Sequence, residues 1–172
     1  MYVHEEKGVA FIAHPRTASI SMATTLLGMG FTQVGSHHQF RESYCRETTF
    51  SVVRNPFDML VSWYYLKRRD DHLSFEGWLR VFLHNPPHYI SQGLFFGQHL
   101  CTDILWYENL QEEFDELMER VGLPQTEIMR SNVSEKRAGR NFMDVHNDIT
   151  LERVGRFFAD EIEQFDYHLR SE

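Results

Sequence analysis

The sequence is poor in cysteine. Cys45 and Cys101 are its only two in 172 residues, and their separation matches no metal-ligand or redox spacing. They read as two reduced thiols, which argues against a disulfide-built fold, a zinc site or a CxxC redox centre. Basic charge is also short: 17 Lys and Arg stand against 25 Asp and Glu, a net of −8. That excludes the broad basic surface of a general nucleic-acid binder, while leaving room for a local basic pocket around a small anion. No apolar run approaches the roughly 20 residues of a membrane span, and the first residues lack the charged and apolar regions of a signal peptide. Repeats, low-complexity tracts and linkers are missing too, so residues 1–172 are expected to form a single domain. Two motifs are absent as well. There is no Gly-x-x-x-x-Gly-Lys-Ser/Thr phosphate loop and no His-Glu-x-x-His or other metal-ligand set, so no metal is expected.

What is present is a globular composition, 42% hydrophobic and 14% aromatic. Met1 to Lys7 reads as a polar lead-in. Val9-Ala10-Phe11-Ile12-Ala13 is short, apolar and partly β-branched, as a central strand would be. Ile20, Ala23, Thr24 and Leu27 then fall at helical spacing, and Gly28 and Gly30 supply a stop. Phe31 to Val34 reads as a second strand and Thr48 to Val53 as a clear third. Asn55-Pro56 gives a cap and a proline suited to a first helical turn. Ser74 caps another predicted helix with Phe75, Trp78, Leu79 and Phe82 on one side. Thr102 to Tyr107 reads as a strand, Asn109-x-x-Glu112 as a capping box, and Phe114, Leu117, Met118 and Val121 as a helical stripe closed by Gly122. Val154, Phe157, Phe158, Ile162 and Phe165 mark a C-terminal helix. Strands alternating with helices predict an α/β fold with a mainly parallel sheet covered on both faces. Ligands of such sheets bind at the carboxyl ends of the strands.

Two stretches at such ends carry the chemistry. Pro15-Arg16-Thr17-Ala18-Ser19-Ile20-Ser21 follows the first strand and opens a helix. Small hydroxylated residues, one cation and the unpaired N–H groups of a helix start make an anion cradle. The second stretch, Arg54-Asn55-Pro56-Phe57-Asp58 with Ser62 two helical turns on, puts a planar donor fork at a strand end. Each alone fits ordinary structure: a strand–turn–helix junction, or a surface arginine with a helix serine bonded to its own backbone.

Together the two stretches resemble the sulfotransferases that use 3′-phosphoadenosine-5′-phosphosulfate (PAPS). Pro15 to Ser21 is similar to that family's 5′-phosphosulfate loop, nearest in spelling to the Pro-Lys-Thr-Ala-Ser-Thr-Ser form of heparan sulfate 2-O-sulfotransferases. Arg54 and Ser62, within Arg-Asn-Pro-x-Asp-x-x-x-Ser-x-Tyr, match its 3′-phosphate motif. Tyr107-Glu108-Asn109-Leu110, Asn132-x-Ser134 and Asp160 with Phe165-Asp166-Tyr167 follow the family pattern as well, so the resemblance spans nearly the whole chain. It implies a P-loop-like three-layer fold and transfer of a sulfuryl group from PAPS, with PAP as product and no required metal. The acceptor would be a hydroxyl, with an amine as second choice, on a small molecule or glycan.

The resemblance also implies roles. Pro15, Arg16, Thr17, Ala18, Ser19, Ile20 and Ser21 would hold the 5′-phosphosulfate, and Arg54 and Ser62 the 3′-phosphate. Lys136, Arg137 and Arg140 lie where relatives place a cationic loop over the nucleotide. Relatives carry a histidine base after the second strand, which points to His37 or His38, and a His-x-x-x-x-Glu spacing selects His37 with Glu42. Arg16 would stabilise the transferring group. Two residues depart from the pattern. Arg16 replaces a lysine and cannot give up a proton, and Ile20 replaces a hydroxyl residue, which Ser21 would have to make good. The rival readings are a PAP- or PAPS-binding module that has lost catalysis, and a small ATP-dependent kinase. A cytoplasmic protein is expected, with a trimmed Golgi lumenal domain as the alternative. No nucleic acid or membrane partner is expected.

Overall fold

In the computed structural model, residues 1–67, 72–92, 100–129, 131 and 141–167 are described. Its strands are β1 (Tyr2–His4), β2 (Val9–Ile12), β3 (Thr32–Gln33), β4 (Thr48–Val53) and β5 (Asp103–Trp106). Its helices are α1 (Ser19–Gly28), α2 (Pro56–Lys67), α3 (Phe75–His84), α4 (Leu110–Arg120), α5 (Asp148–Phe157) and α6 (Ala159–Gln164). The chain separates into two compact units. Met1–Arg54 and Gln92–Asn132 form the first, and Asn55–Ser91 and Val133–Glu172 the second.

The first unit holds one five-stranded sheet in the order β3-β1-β2-β4-β5. β2, β4 and β5 are parallel neighbours, while β1 runs antiparallel to both β2 and β3. Four strands therefore share one direction, giving the α/β fold with a mostly parallel sheet flanked by helices. Alternation sorts the side chains: Val9, Phe11, Ala13, Phe50, Val52 and Leu105 pack with Met22 and Leu26 of α1 and Phe114, Leu117 and Met118 of α4. The intervening Ala10, Ile12, Thr49, Ser51 and Val53 are buried as well. Burial on both faces explains why β2 and β4 read as continuous runs rather than as polar–apolar alternation.

The lead-in is not polar structure. Met1, Tyr2 and Val3 are almost wholly buried, and Tyr2 pairs with Phe11 across β2 and with Gln33 across β3. Three residues are too few to show a period, and the following Glu5-Glu6-Lys7 turn masks them. The expected capping box at Asn109 is also not formed. A 3₁₀ turn over Tyr107–Asn109 runs straight into α4, so Asn109 sits at φ −120°, ψ 25° and makes no side-chain cap. Glu113 instead accepts the Trp106 backbone N–H at 2.6 Å.

Among the described residues, the second unit is helical. Ser74 caps α3 by accepting from the Gly77 N–H at 3.2 Å, and Asn55 Oδ1 accepts from the Phe57 N–H at 3.0 Å at the start of α2. The expected C-terminal helix is broken at Phe158 (φ −107°, ψ 25°) into α5 and α6. Val154, Phe158 and Phe165 are buried as the periodicity implies, but Phe157 is exposed.

Phe11 and Phe50 face each other across β2 and β4 with ring centroids 5.0 Å apart and no solvent exposure. Phe50→Ala is expected to lower the unfolding free energy by about 3–5 kcal/mol. Urea denaturation checks this, and a loss below about 1 kcal/mol would place Phe50 outside the core.

Candidate functional site

Parallel pairing of β2 with β4 brings their carboxyl ends to the same edge of the sheet, with Ile12, the last residue of β2, opposite Ser51 near the end of β4. Ser51 Oγ donates to the Ile12 carbonyl at 3.0 Å and ties the two ends together. The loop after β2 and Arg54 after β4 therefore leave the sheet side by side. No glycine shapes this loop, yet it turns as tightly as a glycine loop. Arg16 (φ 69°) and Ala18 (φ 59°) both adopt the left-handed conformation, at a cost of about 1–3 kcal/mol each. Thr17, fully buried, closes the turn by donating from Oγ1 to the His14 carbonyl at 3.0 Å. His14 is buried too, and its Nδ1–H donates to the Pro15 carbonyl at 3.0 Å.

α1 then begins at Ser19. The residue before it, Ala18, has no side chain that can accept from the first-turn N–H groups. A helix start without a side-chain cap at its first position presents first-turn N–H donors at the positive end of the helix dipole. That arrangement suits an anion.

Arg54 is only 4% exposed. Its backbone is clamped by Gln92, which accepts the Arg54 N–H at 2.7 Å and donates to the Arg54 carbonyl at 2.8 Å. Its guanidinium lies 3.9 Å over the Tyr107 ring, an attraction of about 0.5–2 kcal/mol depending on desolvation. Nη1 donates to the Arg16 carbonyl at 3.0 Å. The cation of the second motif is thus held rigidly against the backbone of the first.

Both candidate bases lie at the same loop. His37 Nε2 is 3.3 Å from Ser19 Oγ, and its Nδ1 is 2.5 Å from the Tyr2 hydroxyl. His38 donates from Nδ1–H to the Ala13 carbonyl at 3.0 Å. The two rings meet edge to face at 4.2 Å. Burial, and then the charge of His38, pull the His37 pKa down to about 4, and burial lowers that of His38. His37 is therefore neutral at pH 7 and able to accept a proton. His37 bonds Tyr2 and Ser19 rather than Glu42.

The remaining residues of the two motifs are placed as follows. Ile20 is 45% exposed on α1, and its carbonyl accepts from Thr24. Ser21 bonds Ser131, whose N–H reaches Ser21 Oγ at 3.2 Å and whose hydroxyl lies 3.1 Å away. Ser62 is buried on α2 in the second unit. Lys136, Arg137 and Arg140 lie outside the described residues. Among the described residues, no group of three or more His, Cys, Asp and Glu side chains is arranged to hold a metal ion. No described helix is long and apolar enough to cross a membrane.

Sequence reasoning missed Tyr2, Gln92 and the stacking role of Tyr107. Tyr2 stood in a segment read as lead-in, and Gln92 in a stretch without any period, so neither carried a signal.

A titration follows from the low His37 value. His37 ring proton resonances are expected to shift with a midpoint near pH 4, and a midpoint at the ordinary value of about 6.5 would contradict its burial. The depressed value also fixes a sign. Neutral His37 contributes its full stability above about pH 6.5, and that contribution is lost as pH falls towards the folded-state value. His37→Gln should therefore flatten the decline of melting temperature over that window.

No family model matches the sequence, and no curated protein matches it. Among solved structures, the fold is similar to the crystal structure of mouse sulfotransferase SULT7A1 complexed with PAP. The TM-score is 0.62 at 11% sequence identity, over 96% of this chain and 87% of that one. The likeness at this identity is one of fold.

Proposed function

We propose that the protein is a sulfotransferase that takes its sulfuryl group from PAPS and transfers it to an acceptor hydroxyl, with an amine as second choice. The observation that carries the reading is the hydrogen bond from Arg54 Nη1 to the Arg16 carbonyl. It joins the two motifs, 38 residues apart, at one strand edge. Support comes from the fold likeness to a sulfotransferase crystallised with PAP. The residues fit the donor's chemistry. A strained loop with first-turn N–H groups and the Arg16 cation suits a 5′-phosphosulfate, and the rigid donor fork of Arg54 suits a phosphate.

PAPS, when bound, offers a sulfur whose leaving group is a phosphate oxygen. In this reading the acceptor oxygen forms a bond to sulfur as the sulfur–phosphate oxygen bond breaks, releasing PAP. The acceptor proton passes to His37 Nε2. Arg16 and the α1 N–H groups stabilise the charge on the transferring and leaving oxygens, as in phosphoryl transfer.

Two observations favour a second reading, a PAP-binding protein with weak or no catalysis. Arginine replaces the family's lysine in the loop and cannot shuttle a proton to the leaving group, and a base with a pKa near 4 is a feeble proton acceptor.

Arg54→Ala is expected to weaken PAP binding about 10- to 100-fold. His37→Ala should leave PAP binding intact while lowering PAP release from PAPS, across phenol, alcohol and amine acceptors, by about 10²- to 10⁴-fold. Undiminished turnover in His37→Ala would remove His37 as the base.

A further inference from the structure

His37 is held on the side away from Ser19 by a chain of polar groups that the sulfotransferase reading does not use. Tyr2, in β1, is 2% exposed, and its ring packs on Phe11 at 6.2 Å and edge-on to His37 at 5.7 Å. Its hydroxyl has two neighbours, His37 Nδ1 at 2.5 Å and Gln33 Oε1 at 3.4 Å. Gln33 is itself oriented, because its Nε2 donates to the Gly35 carbonyl at 3.0 Å. That bond turns the amide oxygen towards Tyr2.

An amide oxygen only accepts. Tyr2 has one proton, and giving it to Gln33 leaves the phenol oxygen to accept from His37 Nδ1–H. With the proton on Nδ1, the lone pair stands on Nε2, the nitrogen beside Ser19 of the loop. Every group in the chain is then satisfied in one direction: Ser19 hydroxyl to Nε2, Nδ1–H to Tyr2, Tyr2 hydroxyl to Gln33, Gln33 to Gly35. The partner of one ring nitrogen sets the state of the other. Burial raises the Tyr2 pKa, so the phenol keeps its proton and takes part as a neutral group.

We propose that Tyr2, held by Gln33, is the positioning residue that fixes His37 in the Nδ1–H form and so presents Nε2 as the proton acceptor. This rests on the reading of His37 as the base of a sulfuryl transfer. One proton moves in the step, to Nε2 from the acceptor hydroxyl, which takes the place of the Ser19 hydroxyl at that lone pair. The Nδ1 proton and the Tyr2 proton stay where they are, and the imidazolium that forms is stabilised by the phenol oxygen and the amide dipole behind it. Tyr2 never touches substrate.

The test is the tautomer of His37 in the full chain, read at pH 7.5 by long-range ¹H–¹⁵N correlation on protein labelled at histidine nitrogen. The wild type is expected to carry the proton on Nδ1. Tyr2→Phe keeps the ring in the core and removes only the partner, so the proton should move to Nε2, the form that unconstrained histidine favours in water. Gln33→Leu, at an exposed edge position, should have the same effect, since Tyr2 then turns its proton to Nδ1. A wild-type proton on Nε2, or a tautomer unchanged in both variants, would overturn the proposal. Calorimetry with PAP on the same samples separates this from the parent reading. Failure of the wild type to bind PAP would defeat that reading whatever the tautomer, whereas PAP binding with the proton on Nε2 would defeat only the role of Tyr2.

Discussion

The parallel register of β2 with β4 is the constraint on which the site depends. It puts the carboxyl ends of two neighbouring strands on one edge of the sheet, and the Ser51 hydroxyl of β4 bonds the last carbonyl of β2. The site is built where these two segments leave the sheet. In the loop after β2, Arg16 and Ala18 take the left-handed conformation without glycine. Arg54 lies on Tyr107 and against the Arg16 carbonyl. The stored strain of about 1–3 kcal/mol at each left-handed residue is offset by the packing of the sheet beneath it.

The same sheet explains why a histidine pair belongs to the site. β3 is a two-residue edge strand that pairs with β1, and the chain leaving it passes back over the loop. His38 is fastened to the Ala13 carbonyl at the tip of β2, and His37 falls between Ser19 and Tyr2. A histidine pair, two arginines and a helix start are thus gathered from segments as distant as residues 16 and 54. Gln92, clamping both backbone groups of Arg54, adds a fourth segment.

Much of this was legible in the sequence because the signals were local. The apolar run of Val9 to Ala13, of which Val9–Ile12 forms β2, the β-branched Thr48 to Val53, the Asn55-Pro56 start of α2 and the Ser74 cap each depend on a few adjacent residues. The loop and Arg54 were legible as motifs. What was not legible was set by partners far along the chain. β1 is a strand only because β2 and β3 flank it, and three residues show no period. The break at Phe158 interrupts a continuous apolar pattern that gives no hint of it. The contact of Tyr2 with His37 spans 35 residues. Left-handed Arg16 and Ala18 carry no mark either, since that conformation is ordinarily signalled by glycine.

In the proposed function, the carboxyl ends of β2 and β4 bind the nucleotide of a sulfuryl donor. A calorimetric titration of the intact protein with PAP, AMP and ATP, each with and without magnesium, tests this. Binding is expected to be tightest for PAP and independent of magnesium, with AMP weakened by the missing 3′-phosphate. Preference for ATP with magnesium would contradict it.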